Sequence, residues 1–341
     1  MKLLVTGGAG FIGSNFTRMV LEKKPEWSVT VLDKLTYAGR RENLADLESS
    51  SRFRFVKGDI CSRETVTEAM TGCDVVVNFA AETHVDRSIQ DSSSFVDTDI
   101  EGVRVLLEVF RKGKRKLFLQ ISTDEVYGSV EEGRSGESDP LAPRSPYAAS
   151  KAGGELLAMS YWTTYGVPVV VTRASNNYGP YQYPEKLIPL FVTNAMEGQP
   201  LPLYGDGLNR RDWLYVEDHC RALLQILEFA KPGSVYNIGA GQELSNREVT
   251  NAILKATGAS SDLIRYVDDR PGHDRRYALD ISLVEKEIGW KPETDFSSGL
   301  AKTVEWYELN RDWWETIKSG EFREYYRRMY SQRLRESEGA E

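Results

Sequence analysis

The first half of the chain alternates short runs of Val, Ile, Leu and Phe with longer stretches whose apolar residues recur every three or four positions. The runs at residues 2–6, 28–33, 54–57, 75–79, 116–122 and 167–172 predict strands. Residues 11–23, 63–71, 95–111 and 146–165 carry the helical spacing between them. Alternation of this kind predicts an α/β fold: a doubly wound parallel sheet with right-handed crossovers and helices on both faces. The strands are apolar along their whole length rather than at every second position, as a sheet covered on both sides requires.

Beyond residue 175 the pattern loosens. Pro180, Pro184, Pro189, Pro200 and Pro202 interrupt it, and helices are expected again at 216–230 and 246–257. Residues 297–328 read as helix, with Trp306, Trp313 and Trp314 as packing residues rather than ligand contacts. Residues 331–341 read as a polar tail without fixed structure. The expected division is a first domain of residues 1–175, joined again by about 212–239, and a smaller mixed α/β C-terminal lobe of residues 176–211 and 240–330. The ligand site is expected between them. No repeat of 20–50 residues is present.

Composition narrows the partners. With 341 residues, 40% hydrophobic and 28% charged, the chain can bury an ordinary core without disulfides or structural metal. A net charge of −8 argues against a general nucleic-acid binder, yet leaves room for a small anionic ligand held by a few local cations. Cys61, Cys73 and Cys220 are too few and too scattered for a disulfide framework or a zinc site, and no metal-ligand spacing occurs. The first glycine, Gly7, cuts the N-terminal apolar stretch short of a signal sequence. No apolar run approaches the roughly 20 residues that a membrane helix needs. A cytoplasmic protein is expected.

The candidate chemistry begins at the first strand, which runs into Gly7-Gly8-Ala9-Gly10-Phe11-Ile12-Gly13 and then a helix. Gly7, Gly10 and Gly13 are spaced G-x-x-G-x-x-G, while Gly8, Gly10 and Gly13 satisfy G-x-G-x-x-G. Such a loop turns tightly, lets the backbone approach a pyrophosphate and offers it a helix N-terminus. Asp33 ends the next strand, 20 residues after Gly13, where a carboxylate accepts ribose hydroxyls and repels a 2′-phosphate. That favours NAD over NADP, although Lys34 is adjacent. Asp59-Ile60 after the third strand is placed to reach the adenine, and Phe79-Ala80-Ala81 after the fourth lets the backbone near the cofactor.

Tyr147 and Lys151 stand four apart, after Ser145-Pro146, which reads as an N-cap followed by Pro at the first helical position. They share a helix face, where an ammonium would lower the phenol's pKa and make it a base near neutral pH. In this context the chain resembles the extended short-chain dehydrogenase/reductase family. That resemblance implies a Rossmann domain binding NAD and a small lobe for a sugar nucleotide.

The strand at 116–122 leads into Thr123-Asp124-Glu125-Val126-Tyr127-Gly128, beyond a carboxyl end where ligands of open α/β sheets bind. Two adjacent carboxyl groups suit general acid and base work if their environments push their pKa values apart. The motif His84-Val85-Asp86-Arg87-Ser88 and the stretches 175–182, 184–189, 211–219 and 270–277 extend the similarity to about residue 300. Together they resemble the sugar-nucleotide 4,6-dehydratases of that family, with dTDP-glucose as substrate. One departure is Asp99, where those enzymes more often have Asn.

The resemblance implies oxidation at C4, loss of water across C5 and C6, and reduction at C6, with NAD regenerated each turnover. Tyr147 is then the base at the C4 hydroxyl, Thr123 orients the sugar, Glu125 takes the C5 proton and Asp124 protonates the departing C6 hydroxyl. It implies further cofactor contacts from Phe11, Ile12, Thr36, Thr98, Ser122 and Asn177. Substrate contacts are implied for Thr83, His84, Asn176, Lys186, Leu187 and Asn246, with Leu203-Tyr204 at the base and His273 at the nucleotide. Arg211 and Arg270 are candidates for the diphosphate because guanidinium forks bind phosphate oxygens in pairs. Arg210 is ambiguous, and His219 reads as a packing residue in a helix. A homodimer through helices 95–111 and 146–165 is implied. The alternatives are a related sugar-nucleotide dehydratase, epimerase or decarboxylase of the same fold acting on a UDP-sugar, or a silent NAD-binding scaffold.

Overall fold

The computed structural model describes residues 1–338. Its strands are β1 (Lys2–Thr6), β2 (Ser28–Asp33), β3 (Phe53–Lys57), β4 (Val75–Asn78), β5 (Leu117–Thr123), β6 (Val169–Ala174), β7 (Asn176–Tyr178), β8 (Leu201–Tyr204), β9 (Arg210–Tyr215), β10 (Val235–Ile238), β11 (Glu243–Ser245) and β12 (Ile264–Val267). Seven of them form one parallel sheet in the order β10-β6-β5-β4-β1-β2-β3. The order reverses between β1 and β4, which is where an open α/β sheet leaves a crevice for a ligand.

Successive residues of each strand point to opposite faces, and the core divides accordingly. Leu3, Val5, Val29, Val31, Val75 and Val77 pack on one side with Phe16 and Leu223. Leu4, Leu32, Val76, Phe118 and Val169 pack on the other with Leu106 and Phe110. This is why the strands read as continuous apolar runs. A third cluster, including Phe191, Trp213, Ile253, Leu300, Tyr307 and Trp314, lies beside the small sheets β11-β9-β7 and β12-β8.

The helices Phe11–Lys23, Pro146–Tyr165 and Asn246–Thr257 fall on their predicted residues. Ser145 caps the second through Ala148 N at 3.1 Å, with Pro146 at its first position. The predicted helix 95–111 starts earlier: Ser93–Val96, a π-helical stretch Asp97–Gly102 and Val103–Phe110 follow one another without a break.

Three expectations need correction. Helix Leu187–Met196 was not predicted, because it is buried on nearly all sides and so carries no amphipathic period. Its Pro189 sits in the first turn, where no N–H is needed. Residues 297–328 are not one helix but parts of Phe296–Leu309, Arg311–Ser319 and Glu321–Glu338, broken at Asn310 and Gly320. The polar tail is helical as far as Glu338, and Arg333 Nη1 donates to the Tyr204 hydroxyl at 2.8 Å. Residues 339–341 of that tail lie outside the described residues. Among the described residues no helix is long and apolar enough to cross a membrane.

Candidate active site

A cavity of about 410 Å3 follows the carboxyl ends of the central strands from the glycine loop to β8 and the segment 270–277. All the cofactor, catalytic and substrate residues predicted from the sequence line it.

At the dinucleotide end, β1 turns at Gly7 with φ +67°, and a Cβ there would sit 2.6 Å from the Ala80 nitrogen. A Cβ on Gly13 would sit 2.4 Å from the Gly7 carbonyl oxygen. Both positions therefore exclude a side chain, and the loop lies close against the strand end at Phe79, Ala80 and Ala81. The helix that follows has no side-chain cap and no acid in its first turn, which leaves its N–H groups at Phe11 and Ile12 for an anion, while the Gly10 N–H closes the loop on the Gly7 carbonyl at 3.1 Å. Asp33 is buried and accepts from Ala9 N at 2.9 Å and Leu35 N at 2.8 Å. Each of its oxygens keeps a lone pair for a ribose hydroxyl. Lys34 is ion-paired with Asp59 at 2.7 Å, so its charge is already matched. Thr36, Ile60 and Thr98 line the same stretch, and the Ser122 hydroxyl is buried there with no partner. A glycine cradle, an uncapped helix end, a ribose-side carboxylate and an orphaned hydroxyl fit NAD.

At the reacting end, β5 passes into a 3₁₀ turn at Asp124–Tyr127. The Thr123 hydroxyl accepts from Glu125 N at 3.3 Å and lies 3.2 Å from Asp124 Oδ1. Asp124 Oδ2 is buried without a partner. Burial, reinforced by the Glu125 charge, pushes Asp124 well above the usual carboxylate range. Burial raises Glu125 too, but Arg270, Lys186 and Arg211 pull it back. The two acids thus sit in different fields: one favours its proton, the other is surrounded by cations.

Tyr147 and Lys151 share this wall, but the phenol does not behave as the spacing predicts. Burial first, then the charges of Glu125 and Asp99, hold Tyr147 well above its ordinary pKa. The Lys151 ammonium donates to the Ile121 carbonyl at 2.8 Å, and its own pKa is lowered by burial. The expected lowering of Tyr147 is therefore corrected: desolvation among carboxylates outweighs helix-face proximity to one cation.

The anion end holds the two predicted arginines in different states. Arg211 is buried, donates to the carbonyls of Arg210 and Asp274 at 2.8 Å each, and lies over the Tyr277 ring. Its fork is thus partly spent on the backbone. Arg270 Nε is buried with no partner, and its Nη1 is 3.6 Å from Asp86. Arg210 is bound to the Glu243 carbonyl at 2.7 Å and is absent from the cavity wall. Lys186 Nζ donates to the Thr83 carbonyl at 2.6 Å. Asn176 Oδ1 is buried and unpartnered. Asn177 Oδ1 is 2.9 Å from His219 Nδ1, so His219 packs as expected but also lines the cavity. Tyr204 stacks with Tyr330 and faces the His273 ring. Leu187, Leu203 and Asn246 complete this end, and His84 lies 3.5 Å from the Glu185 carbonyl.

Sequence reasoning singled out no role for Glu82, Asp86, Glu185, Tyr277 or Tyr330, which also line the cavity. Asp86, Glu185 and Tyr277 stand inside recognised motifs, which was the available signal. Tyr330 had none: it falls between the stretch read as helix and the one read as a polar tail.

Fold and site together define a dinucleotide-dependent, sugar-nucleotide type of short-chain dehydrogenase fold. The chain belongs to the GDP-mannose 4,6 dehydratase family, which it matches over residues 4–303. It is 54% identical to a dTDP-glucose 4,6-dehydratase of Streptomyces niveus, over 94% of this chain and 96% of that one. It is 46% identical to that of Shigella flexneri, over 98% of this chain and all of the other. Among solved structures, the dTDP-glucose 4,6-dehydratase DesIV of Streptomyces venezuelae, with NAD bound, superposes with a TM-score of 0.91 at 51% identity, covering 93% of this chain and 100% of that one. A UDP-glucose 4-epimerase of Thermus thermophilus in complex with NAD superposes at 0.84 with 32% identity, covering 91% and 100%.

Proposed function

We propose that the chain dehydrates dTDP-glucose to dTDP-4-keto-6-deoxyglucose, as a dTDP-glucose 4,6-dehydratase and hydro-lyase. The observation that carries this reading is the Asp124–Glu125 pair, set in two different fields in the same cavity as the glycine loop and Tyr147. Simple epimerisation at C4 has no use for two such carboxyl groups. The relatives with the highest identities given above support dTDP-glucose over the GDP-mannose of the family's name.

NAD, when bound, accepts the hydride from C4 and returns it to C6, so no outside reductant is consumed. Gly7, Gly10, Gly13 and Asp33 hold it. Tyr147 takes the C4 hydroxyl proton as its phenolate, the form that the Lys151 ammonium and the positive ring of bound NAD would favour against the surrounding carboxylates. Thr123 orients the sugar. Glu125, among its three cations, takes the proton from C5, and a proton goes back to C5 when the hydride reaches C6. Asp124 keeps a proton for the C6 hydroxyl, which then leaves as water. Arg270 and Arg211 face the diphosphate. General acid and base groups of this kind contribute about 10² to 10⁴ in rate each.

Incubating the purified protein with dTDP-glucose, UDP-glucose and GDP-mannose side by side, without reductant, tests the reading. The alkali-sensitive absorbance of a 4-keto-6-deoxy sugar is expected with dTDP-glucose. Epimerised product without that absorbance would favour the epimerase reading instead. We also infer a cytoplasmic homodimer: Val96, Leu156, Trp162 and Tyr165 are exposed on the two helices expected at the interface. Sedimentation equilibrium at twice the mass of 38.5 kDa is the expected result.

A further inference from the structure

One buried carboxylate beside the Tyr147–Lys151 pair has no part in the steps above. Asp99 lies in the π-helical stretch Asp97–Gly102, which packs against helix Pro146–Tyr165. It is 2% exposed. The helices approach so closely that a Cβ on Gly154 would lie 2.3 Å from the Asp99 carbonyl oxygen. Asp99 Oδ2 accepts from the Ser150 hydroxyl at 2.6 Å, and Ser150 immediately precedes Lys151. Oδ1 is buried without a well-formed hydrogen bond, although the Glu82 backbone N–H faces the carboxylate and favours its charge. A half-satisfied buried carboxylate is costly unless an opposite charge compensates it.

The cation whose field favours the ionised form of Asp99 is Lys151, acting across space rather than through a direct hydrogen bond. Seen from the ammonium, Asp99 is the stronger of two favourable anions; the other is Glu155, one turn further along. Glu155 is already bound to Arg173 at 2.7 Å in a buried pair. The remaining groups around Asp99 do not neutralise it. Glu82, after β4, is a second carboxylate, raised to about 7 by burial and then by Asp99. The Cys61 thiol, packed on Gly102, is pushed up to about 12 and stays neutral. On its own helix, Asp97 is exposed and Glu101 is paired with Arg104 at 2.6 Å. The Tyr147 phenol also feels the Asp99 charge.

We propose that Asp99 is a positioning residue of the dehydratase: its carboxylate is the counter-ion that keeps the Lys151 ammonium charged beside Tyr147, and it thereby sets the pH window in which the pair works. The proposal rests on the roles given to Tyr147 and Lys151 above. An Asn at this position keeps an acceptor for Ser150 and removes the charge.

Removing a negative charge lowers the pKa of every group that feels it, phenol and ammonium alike. Asp99 itself is raised to about 6 by burial, so the charge is present above that pH. Asp99→Asn is expected to move both limbs of the kcat–pH profile to lower pH by about one unit, without loss of NAD affinity or of Tm. Superimposed profiles would overturn the proposal. A second measurement needs neither turnover nor a folded Asp99 variant. The carboxyl carbon of Asp99, followed by NMR, is expected to titrate at higher pH in Lys151→Met than in the parent protein, because the interaction is reciprocal. An unchanged midpoint overturns the proposal. If the protein dehydrates no sugar nucleotide while that midpoint moves, the functional reading fails and the electrostatic coupling of Asp99 to Lys151 stands.

Discussion

Asp124 and Glu125 are neighbours in sequence yet face different surroundings. The peptide between them turns one carboxyl into a dry pocket and the other toward Arg270, Lys186 and Arg211. Each substitution should therefore fail in its own way. Asp124→Asn keeps the shape but gives no proton to the departing hydroxyl; Glu125→Gln cannot accept from C5. Dehydration by either variant is expected to fall about 10² to 10⁴-fold, with NAD affinity unchanged by equilibrium titration. Exchange of the C5 hydrogen with deuterated solvent should disappear in Glu125→Gln and persist in Asp124→Asn. Persistence in both would remove Glu125 as the base.

At the scale of elements, the position of helix Pro146–Tyr165 decides whether Tyr147 and Lys151 face the substrate. A buried network ties this helix to the sheet. Glu155 on the helix binds Arg173 on β6 at 2.7 Å. Arg173 also donates to the Tyr127 hydroxyl at 2.6 Å, and that hydroxyl donates to Asn237 Oδ1 on β10 at 2.8 Å. Tyr127 closes the turn that carries Asp124 and Glu125, so one arginine registers both halves of the active site. Glu155→Gln leaves Arg173 buried without its counter-charge, a change that costs about 3–5 kcal/mol. Urea unfolding should show that loss. The network was not legible in the sequence: Glu155 and Arg173 are 18 residues apart on different elements, and no local spacing pairs them. Helix Leu187–Met196 escaped for the opposite reason, since burial on nearly every side erased the period that marks a helix.

For the whole molecule, deep burial of histidine couples stability to acid. His219 is fully buried, and burial lowers its pKa from 6.5 to about 3. The folded state therefore binds fewer protons than the unfolded one between those values. Its contribution is complete above 6.5 and is lost as pH falls toward about 3, at about 1.4 kcal/mol per pH unit. His84 is depressed in the same direction. His219→Gln should remove its share of that slope in denaturant melts taken at successive pH values. A slope equal to the parent's would show that water reaches the ring.

The sequence by itself determined the α/β class, six of the seven strands of the central sheet, the glycine loop with Asp33, and the motifs around Asp124, Glu125, Tyr147 and Lys151. These follow from local rules: the spacing of apolar side chains, the backbone freedom of glycine, and chemistry carried by residues a few positions apart. Tertiary structure alone decided what those groups feel. It set the phenol of Tyr147 among carboxylates, spent part of the Arg211 fork on carbonyls, and brought Tyr330 from the last helix to the cavity near Tyr204. It also lodged Asp99 beside Lys151, 52 residues away along the chain. Desolvation and the summed field of distant charges depend on positions in space, and only the folded chain fixes those.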